Sequence, residues 1–271
     1  MTYVPVLPFG GYGGWSFLKR TMDKQSAAFA SQAAVKRDEA YFREKIGRID
    51  TAEQLVNDPR LLRVALGAFG LDGDIGNKFF IRKVLEEGTL SAGSLANKLS
   101  DKQYQKFSAA FGFGNFSTPR TKLSDFADKI LVPYKRQQFA VAVGTQNPDM
   151  RLALNAESEL PALATSSVSS ASKWFTVLGN GPLRTVFERA YGLPAAFGAI
   201  DIDKQVETLK SRTSAMFGSD SVDEFSDPEK LNKLVRQFLV QSDLAANSAQ
   251  LSRGQIALTL LQQSTASYTL F

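Results

Sequence analysis

From Trp15 onward, apolar side chains recur at three-, four- and seven-residue intervals, the period of helices that bury one face. Val35, Phe42, Ile46 and Ile49 follow this spacing, while Lys36 to Glu39 and Arg43 to Lys45 fall on the opposite side. Glu39 with Arg43 and Glu44 with Arg48 add acid-before-base support one turn apart. In "RLLRVALGAFG" almost every position after Arg63 is apolar, which predicts a helix buried on most sides. Leu231, Leu234, Val235, Phe238 and Leu239 form a further stripe. The period-two alternation of a half-buried strand is nowhere convincing. The pattern predicts an all-α, multi-helix bundle.

Helix boundaries are marked by local chemistry. Asp58-Pro59, Asn147-Pro148, Gly181-Pro182 and Asp227-Pro228 each place a cap before a proline, whose missing N–H costs nothing at the first helical position. Asp50 with Glu53 reads as a capping box. Pro133 lies within the apolar run from Leu123 to Val143 and is expected to split or kink that helix. Residues 1–14, with Pro5, Pro8 and four glycines, read as irregular or extended.

An internal duplication is also suggested. "LLRVALGAFGL" aligns with "LRTVFERAYGL", pairing Leu61 with Leu183, Val64 with Val186, Ala68 with Ala190, Phe69 with Tyr191, Gly70 with Gly192 and Leu71 with Leu193. Downstream, "LSDKQYQKF" and "FSDPEKLNKL" both open on a Ser-Asp cap. This divides the chain into an irregular start (1–14), a first helical module (15–116), connecting helices (117–174) and a second module (175–271), with "TSSVSSAS" the most linker-like stretch.

Composition narrows the chemistry. The 271 residues include neither cysteine nor histidine, which removes disulfides, thiolate nucleophiles, and the commonest general base and transition-metal ligand. The net charge of +5 comes from 32 basic and 27 acidic residues interspersed without a block of like charges, an unpromising surface for nucleic acid. No cleaved signal peptide or membrane span is visible, and the chain reads as soluble.

Candidate motifs favour structural readings. In "FGGYGGWSFLKRT" Trp15 follows the last glycine where a phosphate loop needs lysine, so the glycines are expected to let Tyr12 and Trp15 dock. Those two aromatics are also the candidate partner-binding residues. Ser16 with Lys19, and Ser170 with Lys173, match serine–lysine nucleophile spacing without a supporting motif. "DGDIGNKFFIRK" has Lys83 where a calcium loop needs glutamate. "FGFGNF" is expected to end a helix, and Asp201 of "IDIDK" to cap one. No catalytic, cofactor-binding or metal-ligating residue is assigned.

Several blocks carry a family likeness: "GYGGWSFLKRT", "RDEAYF", "RLLRVALGAFGLDGDIGNKFFIRKVLEEGT", "ANKLSDKQYQKFSAAFGFG", "MRLAL", "LRTVFERAYGLP" and "IDIDKQ". Together they resemble an alphaproteobacterial family of unknown function whose members are often encoded among flagellar genes. The resemblance implies an all-helical protein tied to flagellum structure or assembly, cytoplasmic or flagellum-associated, and supplies no catalytic residues. The expected function is therefore non-enzymatic support of flagellar assembly or motility through protein–protein contacts. Residues 1–14 lack the apolar heptads usual at the ends of axial subunits, which favours an assembly or accessory factor. An enzyme using carboxylate or lysine chemistry and a weak nucleic-acid binder are the alternatives.

Overall fold

The computed structural model describes the backbone of residues 3–266 and the side chains of residues 3–247. Among the described residues the regular structure is helical and no strand forms. In chain order the helices are α1 (Gly11–Ala30), α2 (Ala33–Lys45), α3 (Ala52–Asn57), α4 (Pro59–Ala68), α5 (Lys78–Glu87), α6 (Leu95–Lys98) and α7 (Gln103–Phe111). They continue as α8 (Phe126–Gly144), α9 (Pro148–Ala164), α10 (Ser170–Gly179), α11 (Gly181–Ala190), α12 (Ile202–Phe217) and α13 (Pro228–Ala266).

Two hydrophobic cores share α8 as a spine. The first gathers Phe42, Leu55, Leu61, Leu62, Ile81, Phe107, Phe111 and Phe126, with Ile130, Leu131 and Tyr134 from the first half of α8. Phe111 sits in an aromatic cluster, 5.1 Å from both Phe107 and Phe126, a geometry that adds to area burial. The second core takes Phe139 and Val143 from the other half of α8, then Met150, Leu160, Trp174, Phe187, Phe225, Leu234 and Phe238. Trp15 and Leu18 of α1 belong to this second core. The polypeptide's start thus packs against its C-terminal half, α8 contributes to both cores and α9 to the second.

Most helix boundaries follow the local signals, with instructive shifts. The Asp58 side chain accepts from the N–H groups of Arg60 and Leu61, and Asn147 from that of Met150. Before Pro182 the cap is Asn180, not Gly181, because a side-chain acceptor is available one residue earlier. At α3 the capping box is Thr51 with Gln54: Thr51 Oγ1 accepts from the Gln54 N–H, and Gln54 Oε1 from the Asp50 N–H. Asp50 and Glu53 do not form it. Nor does Pro133 split α8, which runs unbroken through it; α9 likewise contains Pro161. Packing on both cores outweighs the lost backbone hydrogen bond.

The aligned segments share local geometry. Asp58 and Asn180 each end one helix and cap the next, with φ, ψ of −100°, 103° and −96°, 103°. Each following helix closes on a left-handed glycine, Gly70 at φ 71° and Gly192 at φ 61°. Leu71 N–H then donates to the Leu66 carbonyl at 3.0 Å, and Leu193 N–H to that of Glu188 at 2.8 Å. Farther on, Asp101 and Asp227 accept from the N–H two residues ahead, each at 2.9 Å. Between these points the segments diverge, α12 being sixteen residues against ten for α5.

Candidate partner-binding surface

The glycine-rich start resolves into an extended arm followed at once by a helix. Helix α1 begins at Gly11, so Gly11 to Gly14 form its first turn and only the residues before them are extended. Proximity demands the glycines. A Cβ on Gly14 would strike the Phe9 carbonyl oxygen and come within 2.7 Å of Met150 Cε. One on Gly11, itself at φ 62°, would strike the Asp243 carboxylate on α13. The arm folds back along α1, and buried Gln25 holds it there: Gln25 Oε1 accepts from the Val6 N–H at 2.7 Å and Nε2 donates to the Val6 carbonyl at 3.1 Å. Gln32 Oε1 accepts from the Tyr3 N–H, and Gln146 Nε2 donates to the Pro5 carbonyl. Three side-chain amides, Gln25 on α1, Gln32 before α2 and Gln146 after α8, thus satisfy backbone groups that no strand partner reaches.

The two aromatics singled out by sequence have different places. Trp15 is 2% exposed in the second core, so its ring is a packing element and offers no contact face. Tyr12 is half-buried against the same core, with the Arg236 guanidinium 5.2 Å from its ring centroid.

The structure does not bring the other motifs together as reactive groups. Ser16 Oγ donates to the Tyr12 carbonyl, and Lys19 pairs with Glu157 at 2.6 Å. Lys173 is buried and donates to the Ala164 carbonyl at 2.7 Å and to Asp223 at 2.5 Å. It neutralises the end of α9. Asp201 caps α12 through the N–H groups of Asp203 and Lys204. Phe111 ends α7, followed by left-handed Gly112. The would-be calcium loop is a 3₁₀ turn, Asp72–Asp74, leading into α5.

Perturbed titrations are scattered. The hydroxyls of Tyr104 and Tyr134 are pushed up by burial, with Asp74 and Asp38 respectively adding to it, and that of Tyr191 by burial, so none is available as a base at neutral pH. Burial also raises the Asp101 carboxyl. Asp101 lines a hollow of about 110 Å³ with Lys106 and Glu159, which pair with each other at 2.5 Å. That volume is below the ~300 Å³ at which ligand pockets begin. No group of three or more acidic side chains among the described residues is arranged to hold a metal ion.

A larger concavity, which no sequence motif announced, lies between α1, α8 and α9. It measures about 500 Å³ and is lined by Met22, Ala27, Ala30, Phe139, Ala140 and Leu154. Asn155 contributes an amide whose Nδ2 is shielded from solvent and has no hydrogen-bond partner. Arg136, on the rim, reaches Ser158 Oγ only at 3.4 Å.

This helical scaffold has relatives. A family model described as a protein of unknown function, DUF1217, matches residues 68–231, from the end of α4 into α13. The chain belongs to the DUF1217 family. A crystal structure of a protein from Agrobacterium tumefaciens is similar, with 26% identity and a TM-score of 0.73 over 89% of this chain and 99% of that one. This structural likeness extends beyond the family-matched segment in both directions. No functionally curated protein matches the chain.

Proposed function

We propose that this DUF1217 member is a non-enzymatic contact protein that supports flagellar assembly or motility by presenting helix-built surfaces to other proteins. The observation that carries the reading is α13. Its apolar stripe is buried through Leu239, and Ser242 is the last buried side chain described. The helix nevertheless continues to Ala266. On its described part α13 leaves the apolar side chains of Val240 and Leu244 exposed, 38% and 57%, a surface that a partner protein can cover. The α1–α8–α9 groove is a second contact surface, and the recurring helix–cap–helix unit, read as a duplicated module, gives the molecule two similar faces. The flagellar setting rests on the resemblance of the sequence blocks. No helix among the described residues is long and apolar enough to cross a membrane, in keeping with this role.

The test is deletion of the gene in its native organism, scored by swimming and by filaments per cell. Loss of either, restored by the intact gene, is expected. Normal swimming with normal filaments overturns the flagellar role.

A further inference from the structure

Another hollow, of about 350 Å³, opens over the first core and is large enough for a ligand, whose pockets begin near ~300 Å³. Five elements ring it: the end of α4 at Ala68, then α7, the 3₁₀ turn Arg120–Lys122, α8, and α9 through Glu159. A space bounded on that many sides suits a small molecule better than a partner's helix, which needs a groove open along its length. The floor is apolar, formed by Phe69, Phe126, Ile130 and Pro133.

The charges around this floor do not cancel. Lys106, Arg120 and Lys129 line the hollow against a single carboxylate, that of Glu159. Lys106 is paired with Glu159 at 2.5 Å, and Lys129 with Asp125 at 2.8 Å. Arg120 is different. Among the described residues no carboxylate pairs with it, and its guanidinium lies over the Phe116 ring, 5.1 Å from the centroid. Stacking of this kind holds the plane of the fork and leaves its N–H groups to a ligand.

These features define the occupant. A cation entering the hollow meets like charge, and a neutral apolar molecule leaves Arg120 without a counterion. A monoanion balances that one guanidinium and breaks neither existing ion pair. The planar fork matches a carboxylate through two parallel hydrogen bonds. We propose that the hollow binds a small apolar monocarboxylic acid, with its aliphatic or aromatic body on the Phe69, Phe126 and Ile130 floor and its carboxylate on Arg120. Such a site adds to the contact role and does not depend on it. No bond is made or broken there; the chemistry is recognition alone.

The test is isothermal titration calorimetry of the full chain at neutral pH with decanoate, decanol and decylamine. Decanoate should bind at a single site about tenfold tighter than the other two, or better, the difference expected of hydrogen bonds between charged groups. Decyl phosphate, which carries a further negative charge near neutral pH, should bind no tighter than decanoate. Arg120→Gln should weaken decanoate about tenfold and leave decanol as it was. Leu123 is exposed and lines the hollow, so Leu123→Glu sets a rival carboxylate there without touching the core, and should weaken decanoate at least as much. Circular dichroism melts matching the parent confirm that both variants fold. Ala27→Arg, in the α1–α8–α9 groove, should leave decanoate binding intact. Absence of saturable decanoate binding, equal affinity for decanol or decylamine, tighter binding of decyl phosphate, or parental binding by Arg120→Gln overturns the proposal. So does loss of binding in Ala27→Arg, which would place the acid in the other groove.

Discussion

Two adjacent glycines in the first turn of α1 should respond to alanine with opposite signs. At Gly13 an added Cβ would lie 3.4 Å from the Phe9 ring, ordinary contact with a side chain that is 56% exposed and free to move. Alanine there gains helix propensity and reduces the freedom of the unfolded chain, worth up to about 1 kcal/mol. At Gly14 the Cβ would collide with the Phe9 carbonyl oxygen and crowd Met150. That oxygen is backbone, and the arm bearing it is fastened at Val6 by Gln25 and at Pro5 by Gln146. Met150, on the other side, is fully enclosed in the core. Neither can retreat cheaply. Overpacking of this kind costs about 1–3 kcal/mol and exceeds the propensity gain. Urea denaturation should move the Gly13→Ala midpoint up and the Gly14→Ala midpoint down at an unchanged slope. Thermal melts should follow, at roughly 2–4 °C per kcal/mol for a chain of this order of size. If both variants are stabilised, the close approach of the arm to α1 is not what the glycines serve, and the account of this segment fails.

Other consequences can be checked as directly. Gln25→Leu removes the clasp on Val6, so amide exchange at Val6 should accelerate sharply while global stability falls by about 1–3 kcal/mol. Unchanged exchange there would dismiss the clasp. Asp58→Ala and Asn180→Ala should each cost about 1 kcal/mol as lost caps. The Asp58 change should cost more, because its carboxylate also accepts from the Tyr41 hydroxyl at 2.7 Å; equal losses would contradict this. Asp223→Asn should destabilise by about 1–3 kcal/mol near neutral pH, since it strips the buried Lys173 ammonium of its charged acceptor. The hydrogen bond from Lys173 holds the Asp223 carboxyl below its ordinary value. Its contribution is therefore complete above about pH 4 and disappears as pH falls through the lower folded value. The gap between parent and Asp223→Asn should close on acidification in stability curves, and a gap that widens would refute the assignment.

The sequence by itself determined where helices form and how most of them start and stop, because those decisions are local. An apolar stripe such as Leu231 to Leu239 needs only the helical period to be recognised. Asp58, Asn147 and Asp227 before prolines, and Gly70, Gly112 and Gly192 after helices, satisfy backbone groups within a few residues of themselves. Where two neighbours compete for one task, local reading slips by a residue, as at Thr51 and Asn180. Tertiary structure decided everything that depends on a distant partner. The glycines belong to a helical turn because Phe9 and Asp243 press against them. Trp15 is interior because α1 packs into a core built mostly by residues after Phe139. Pro133 stays inside α8 because both cores hold that helix from either side. The groove arises only where α1, α8 and α9 converge, and its orphaned Asn155 carries no local mark, since burial without a partner is a property of the assembled fold rather than of any short stretch of chain.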